Sequence, residues 1–195
     1  MEIRQYGQRH TLRQTGFGCR GVQADWAASV RAVNQAGNAG ERVHLGCDHA
    51  GFELKEFLKS QLEAAGHTVI DHGAARFDAH DDYPPFCLAA ARGVAADNFS
   101  LGIVIGGSGN GEQIAANKVD GVRAALAWSA ETARLARQHN NANVVSIGAR
   151  MHTPEVALEL VRTFLDTPFS NDDRHVRRIN QLTEFETTGI IPSVG

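Results

Sequence analysis

From residue 42 onward, short apolar runs alternate with longer segments whose apolar residues recur at helical spacing. The apolar runs, which favour strands, lie at 43–48, 67–73, 101–107, 122–128 and 143–148. The segments with helical spacing lie at 52–66, 86–96, 109–118, 129–140, 153–166 and 172–186. This alternation predicts an α/β fold with a mostly parallel sheet, right-handed crossovers and helices on both faces. Ligands of such folds bind at the carboxyl ends of the strands, so the loops after the strands are the places to look for function.

The same pattern divides the chain into parts. Residues 1–41 mix Gly, Gln, Arg and Asn without a sustained strand pattern, and only 24–35 has the spacing of an amphipathic helix. We interpret 1–41 as an N-terminal extension: a flexible tail, an edge-packing helix, or the result of a translation start assigned too far upstream. The main domain is expected at 42–186, followed by a C-terminal tail at 187–195.

Composition excludes several classes of protein. The chain has 195 residues, 43% of them hydrophobic, and a formal net charge of -3, which suits one folded domain and gives no reason to expect a nucleic-acid partner. No apolar run approaches the roughly 20 residues that a membrane span needs, and the N-terminus lacks the apolar core of a secretory signal. The three cysteines show neither metal nor disulfide spacing. We therefore expect a cytoplasmic protein without a membrane partner.

The strongest functional signal is the glycine-rich loop at 106–112, between a buried strand and a helix. Glycines let the backbone turn tightly and bring its N–H groups close to a ligand, which suits an oxyanion or a phosphate. Three known loop classes fail on spacing. A dinucleotide fingerprint needs glycine in place of Glu112, a Walker loop needs lysine after Gly111, and a nucleophile elbow needs glycine in place of Asn110.

Glu112 lies in the first turn of the helix that follows this loop, and two interpretations of it stay open. An acid at this place complements the helix dipole. A carboxylate there can also act as a base on a ligand that the loop holds. The dipole is expected to keep Glu112 ionised at neutral pH, as a base must be.

Acid and imidazole groups occur at two other boundaries. Asp48 and His49 follow the first strand, where they could handle protons on a sugar hydroxyl, but Asp48 is equally expected as a cap of the helix that begins near Phe52. His139 stands at a helix C-terminus, where a cation is favourable without any ligand. The nine histidines show no convincing metal spacing, so no metal is expected.

Arginines near the C-terminus are candidates for an anion site. Arg174, Arg177 and Arg178 lie on one broad side of a helix, and Arg150 follows the last strand. Planar guanidinium groups bind phosphate through paired hydrogen bonds. A charged helix face is, however, more often only solvated.

Several segments occur together in the order and rhythm of one family. They are GCDHAGFELK at 46–55, DYP at 82–84, GGSGNGEQIAANK at 106–118, RQHNNANVVSIGAR at 137–150 and RHVRRI at 174–179. Together they resemble ribose-5-phosphate isomerase B, in the family that also includes galactose- and allose-6-phosphate isomerases. The resemblance spans 42–186. It implies a Rossmann-like three-layer αβα sandwich with a five-stranded sheet, a small sugar phosphate as substrate, no cofactor, and a homodimer or tetramer whose active sites are shared between subunits.

The resemblance also implies roles for the matching residues. The implied catalytic residues are Glu112, His139, Asp48 and Ser108. The implied substrate-binding residues are His49, Tyr83, Gly107, Gly109, Asn110, Gly111, Asn140, Arg150, Arg174 and Arg178. Glu112 is the expected base between C1 and C2, and Asp48 and His139 of the partner subunit are expected to open the furanose ring. The loop is expected to hold the enediolate oxygen, and the arginines to hold the phosphate.

One departure from the family pattern bears on the base. Many members carry a cysteine base where this chain has Gly106, whereas a second branch uses a glutamate just after the loop, which Glu112 matches. Cys47 and Cys87 are then expected to be ordinary buried thiols. The implied activity is interconversion of ribose 5-phosphate and ribulose 5-phosphate through a cis-enediolate. The alternatives are an isomerase of a six-carbon sugar phosphate and a non-catalytic sugar-phosphate-binding module.

Overall fold

The computed structural model describes residues 41–193, and the predicted alternation of strands and helices is present there. The strands are β1 (Arg42–Cys47), β2 (Thr68–Asp71), β3 (Ser100–Gly106), β4 (Ala124–Leu126) and β5 (Val144–Gly148). The helices are α1 (Phe52–Ala64), α2 (Tyr83–Ala96), α3 (Asn110–Ala116), α4 (Ala130–Asn140), α5 (Pro154–Asp166) and α6 (Asp173–Thr188). The interpretation of 1–41 as an extension falls, except for its last residue, outside the described residues.

The strands form one sheet in the order β2-β1-β3-β5-β4, and every neighbouring pair is parallel. The register aligns the carboxyl ends of the central strands, since Cys47 pairs with Ile105 and Gly106 pairs with Gly148. The loops that follow β1, β3 and β5 therefore leave the sheet at one edge. This edge is the expected place for a ligand in a parallel α/β sheet.

Alternate residues of the strands face two separate apolar layers. Ile103 and Ile105 pack with residues of α1, α4 and α5, whereas Val104 between them packs with residues of α2 and α3. Strands buried on both faces are apolar throughout, which explains the continuous apolar run of β3. The predicted three-layer αβα sandwich is confirmed.

Several element boundaries differ from the predictions for physical reasons. Helix α2 begins at Tyr83 rather than at 86, because Pro84 and Pro85 fit the first turn, where a missing N–H costs no hydrogen bond. Helix α6 continues to Thr188 and ends at Gly189, which has φ 70°. The predicted tail at 187–195 therefore starts inside this helix.

The loop between β2 and α2 is fixed at its beginning by a buried lysine. Lys55 of α1 is 1% exposed, and its Nζ donates to Asp71 Oδ2 at 2.8 Å and to the carbonyl of Ala74 at 3.0 Å. A buried ammonium needs such partners. Among the described residues, no helix is long and apolar enough to cross a membrane.

Candidate active site

The carboxylate of Glu112 lies against the end of β3. Glu112 is 5% exposed, and its carboxylate fills the space where a side chain on Gly106 would stand. Only glycine at position 106 leaves this room. The first turn of α3 thus places a carboxylate at the end of the central strand, which explains why this chain has no side chain at Gly106.

Burial raises the pKa of Glu112, and the negative charge of Asp48 raises it further. Hydrogen bonds from main-chain N–H groups at the start of α3 lower it, but their effect is smaller than that of burial. The start of the helix therefore lowers the pKa of Glu112, as predicted, but burial outweighs this effect and the net shift is upward. A carboxylate with a raised pKa is a stronger base than a free one, which suits proton abstraction.

Cys47 and Cys87 are free and buried, as predicted, and Cys87 is close enough to Glu112 for its charge to act on the thiol. Burial raises the pKa of Cys47 to about 12, and it raises the pKa of Cys87 as well. Thiolate is the nucleophilic and basic form of cysteine. Neither thiol is thus ionised at neutral pH, and Glu112 is the better base.

A buried hydroxyl fixes the shape of the glycine-rich loop. Ser146 of β5 is fully buried, and its Oγ donates to the carbonyl of Gly109 at 2.6 Å. Gly109 has φ 81°, and a Cβ there would lie 2.6 Å from Leu126 Cδ1. Both observations require glycine at this position. Ser108 at the exposed tip accepts a hydrogen bond from Asn110 Nδ2 at 3.2 Å.

Tyr83 and Arg150 flank the loop. A Cβ on Gly111 would lie 2.7 Å from Tyr83 Cζ, so the phenol ring packs directly on the loop backbone. A Cβ on Gly107 would lie 3.4 Å from Arg150 Nη1, so the guanidinium of Arg150 lies against the loop backbone at Gly107. The structure thus brings Tyr83 and Arg150, both predicted to bind substrate, next to the glycine-rich loop.

Asp48 and His49 form a polar cluster with Asp81 of the loop before α2. Asp48 is 7% exposed, and its Oδ1 accepts from the N–H of Ala50 at 3.0 Å, so it caps the short 3-10 turn His49–Gly51. His49 Nδ1 lies 2.8 Å from Asp81 Oδ1. Ligand atoms of these three side chains lie within 4.8 Å of one another. They are the described residues most suited to hold a cation, but the pair His49–Asp81 already accounts for their approach.

The remaining predicted residues lie on α4 and α6. His139, at the end of α4, contacts His175 of α6, with ring centroids 4.4 Å apart and ring planes tilted by 33°. His175 is 3% exposed, and its Nδ1 lies 2.7 Å from Ser170 Oγ. Asn140, Arg174 and Arg178 are exposed around this pair. Within the described chain, no hydrogen bond or ion pair joins this group to Glu112 or Asp48.

Sequence reasoning missed three residues that shape these groups. Asp81 lies in a polar loop without periodicity, Ser146 looks like an ordinary strand residue, and His175 stands within the basic segment RHVRRI. The topology offers a signal for Asp81, because β2 neighbours β1 and its following loop meets the same sheet edge. The other two have no comparable signal in one sequence.

Comparison with known proteins identifies the class. Residues 43–182, more than half of the chain, match the Ribose/Galactose Isomerase family. The chain therefore belongs to this family, as the motifs predicted. Its relatives include Ribose-5-phosphate isomerase B of Mycolicibacterium paratuberculosis, which is 61% identical over 153 residues, or 78% of this chain and 96% of that protein.

Solved structures of the same kind share the fold. The type B ribose 5-phosphate isomerase of Trypanosoma cruzi is 40% identical with a TM-score of 0.73, and the match covers 77% of this chain and 99% of that one. Ribose-5-phosphate isomerase B from Mycoplasma genitalium, with bound ribulose 5-phosphate, has the same identity of 40% and TM-score of 0.73, with 75% of this chain and 97% of that one covered.

Proposed function

We propose that this protein interconverts ribose 5-phosphate and ribulose 5-phosphate by proton transfer between C1 and C2. The observation that carries the proposal is the position of Glu112, whose buried carboxylate stands at the end of β3 in the space that Gly106 leaves open. A module that only binds sugar phosphates needs no base of this kind. The identity to ribose-5-phosphate isomerases, 61% in one relative, supports the same substrate.

The reaction begins with the open-chain aldose. Glu112 takes the proton from C2, and the electron pair of that C–H bond forms the C1=C2 bond while the C1 oxygen becomes an oxyanion. The protonated Glu112 then returns the proton to C1, and a proton moves from the C2 oxygen to the C1 oxygen, which gives the ketose. One carboxylate that reaches both carbons is sufficient, and no electrons leave the sugar.

The other predicted residues serve this step in the proposal. Ser108 and the N–H groups of 107–111 stabilise the oxyanion, where loss of one donor costs typically about 10²–10³ in rate. Tyr83, which packs on Gly111, borders the sugar, and Asp48 assists ring opening. Arg150, beside Gly107, adds positive charge to this end of the site.

We also propose that each active site is shared between two subunits of a homodimer, or of a tetramer built from such dimers. His139 and Asn140 lie with Arg174 and Arg178 in a group that is separate from Glu112 within one chain. This arrangement supports ring opening and phosphate binding by these residues in the active site of a second copy. Apolar side chains on α6, Leu182 at 60% and Phe185 at 50% exposure, support burial of this helix against another surface.

The direct test is formation of ketopentose from ribose 5-phosphate by the purified protein with a metal chelator present. We expect turnover of about 1–10³ s⁻¹. Absence of ketopentose formation by a folded protein would contradict the proposal. A higher kcat/KM for allose 6-phosphate or galactose 6-phosphate would move the function to a six-carbon substrate, and activity that requires added metal would contradict the predicted metal independence. The proposal includes the predicted cytoplasmic location.

A further inference from the structure

Asp81 holds His49 through two different groups. Its Oδ1 accepts a hydrogen bond from the main-chain N–H of His49 at 2.8 Å and lies 2.8 Å from the ring Nδ1. The side chain of Asp81 is 12% exposed, and that of His49 is 27% exposed. One carboxylate oxygen thus fixes both the backbone and the ring of the residue that follows Asp48.

This contact determines which ring nitrogen is available. Because a carboxylate only accepts hydrogen bonds, the Nδ1 of His49 must carry a proton. Nε2 has no hydrogen-bond partner among the described residues, and it lies on the far side of the ring from Asp81. When the ring is an imidazolium, Nε2–H is a charged donor that is directed away from the loop.

The surroundings of His49 favour the cation. The acidic groups that act on the ring are Asp81, from the loop before α2, and Asp48, from the end of β1, and both raise the pKa of His49 against the opposing effect of burial. Among the described residues, the side chain that hydrogen-bonds to this ring is the acidic one of Asp81, and no basic side chain does so. The nearest aromatic ring, that of Phe77, stands edge-on with its centroid 6.3 Å away.

The second carboxylate oxygen of Asp81 has unused hydrogen-bonding capacity. Its Oδ2 is buried and accepts no hydrogen bond from the described residues. A buried carboxylate oxygen without a donor is unfavourable, and the positive ring beside it supplies compensation. Neutral His49 would remove this compensation, so the pair is most stable as an ion pair.

We infer that Asp81 is a positioning residue, which keeps the His49 ring oriented and protonated so that Nε2–H binds the phosphate of the substrate. The inference rests on the proposed function, since phosphate is the charged group of a sugar phosphate. Asp81 does not touch the substrate in this role. It acts through His49, which follows Asp48, and the charge of Asp48 in turn acts on the carboxylate of Glu112.

The test compares Asp81→Asn with Asp82→Asn. Asp82 is the neighbouring acid, but it is exposed and makes no side-chain cap bond with α2, so its substitution is a matched control. We expect D81N to raise the KM for ribose 5-phosphate and the inhibition constant of inorganic phosphate by about 10-fold or more, as for loss of a charged hydrogen bond, with a smaller change in kcat. D82N should match the wild type.

A double-variant cycle separates positioning from general damage. His49→Gln alone should raise KM as D81N does, and D81N should add little in the H49Q background. The pH at which phosphate binding weakens should move downward in D81N, because His49 then loses its proton earlier. Equal effects of D81N with and without His49, or the same kinetics for D81N and D82N, would overturn the inference.

The titration of His49 in the wild type, followed by NMR and assigned with H49Q, tests the protonated state of the ring even if D81N does not fold. An apparent pKa above the ordinary histidine value is expected, and a value at or below it would overturn the inference. This measurement and phosphate binding do not depend on turnover. Absence of isomerase activity would therefore contradict the proposed function, while the titration and the phosphate binding of D81N and D82N would still test the inference about Asp81.

Discussion

The carboxylate of Glu112 occupies the place of the missing side chain of Gly106. The two residues are separated along the chain by the glycine-rich loop, which returns the first turn of α3 to the end of β3. A base on the strand and a base on the helix would thus compete for the same space. This chain carries the carboxylate on the helix, and this is possible because the strand position is a glycine.

Glu112→Gln tests the base directly. The amide keeps the shape of the side chain but cannot accept the C2 proton, so we expect kcat to fall by about 10²–10⁴ with the fold retained. Steady-state kinetics and circular dichroism check this. Glu131→Gln, on the exposed start of α4, is the control that should keep the wild-type rate. A near-normal rate for E112Q would refute the assignment.

Gly106→Ala tests the space that Gly106 provides. The added methyl group would overlap the Glu112 carboxylate, so we expect the carboxylate to be displaced and kcat to fall by about 10²-fold or more. In the E112Q background the same change should have little further effect on kcat, because the base is already absent. A wild-type kcat in G106A would show that the carboxylate does not need this position.

The fold was predictable because its signals are periodic. Continuous apolar strands and helical spacing between them indicate a parallel sheet, and the observed all-parallel order follows. The start of α2 was not predicted, since Pro84 and Pro85 look like a loop although they fit a first helical turn. The end of α6 was placed too early for a similar local reason, because Thr187 and Thr188 have low helix propensity.

The site was predictable where a motif carries it. The loop and Glu112 lie in one continuous segment, so their proximity needs no tertiary information. The contact of Asp81 with His49 joins positions that are distant along the chain, and Asp81 stands near other acids, Asp78 and Asp82. Nothing in the sequence distinguishes it from its neighbours. The register of β1 with β2 and the path of the loop after β2 bring Asp81, and not its acidic neighbours, next to His49.

Mixing two inactive variants tests whether active sites are shared. E112Q and His139→Asn should each be nearly inactive. If Glu112 and His139 of one site come from different chains, an equal mixture that is unfolded and refolded together should regain about a quarter of the wild-type activity, since half of the dimers are mixed and each has one intact site. Refolding each variant alone is the control. No recovery from a mixture shown to contain mixed dimers would place both residues in one chain.

The buried pair His44 and His72 predicts how stability depends on pH. His44 Nδ1 lies 2.8 Å from His72 Nε2, burial lowers the pKa of both rings, and a charge on His72 lowers that of His44 further. The neutral forms are therefore favoured in the fold. Their contribution is present above the ordinary histidine pKa and is lost as pH falls through the lowered pKa values.

Urea unfolding at about pH 7.5 and about pH 5.5 measures this dependence. We expect a lower midpoint at the acidic pH and a smaller difference between the two in His72→Asn, which has one titrating ring fewer. His80→Asn, an exposed position in the same loop, should behave like the wild type. An unchanged wild-type midpoint would mean that both rings titrate as they do in the unfolded chain.

The raised pKa of Glu112 predicts the acidic side of the activity profile. The base acts in its ionised form, so kcat/KM should fall as pH decreases through this pKa, at a higher pH than for an ordinary glutamate. Rates measured over a pH range, with the folded fraction followed by fluorescence, separate this loss from unfolding. His72→Asn should change the unfolding but leave this limb in place. If the pH at which kcat/KM falls shifts together with the stability of the variant, the loss of activity at acidic pH is instead due to unfolding caused by the His44–His72 pair.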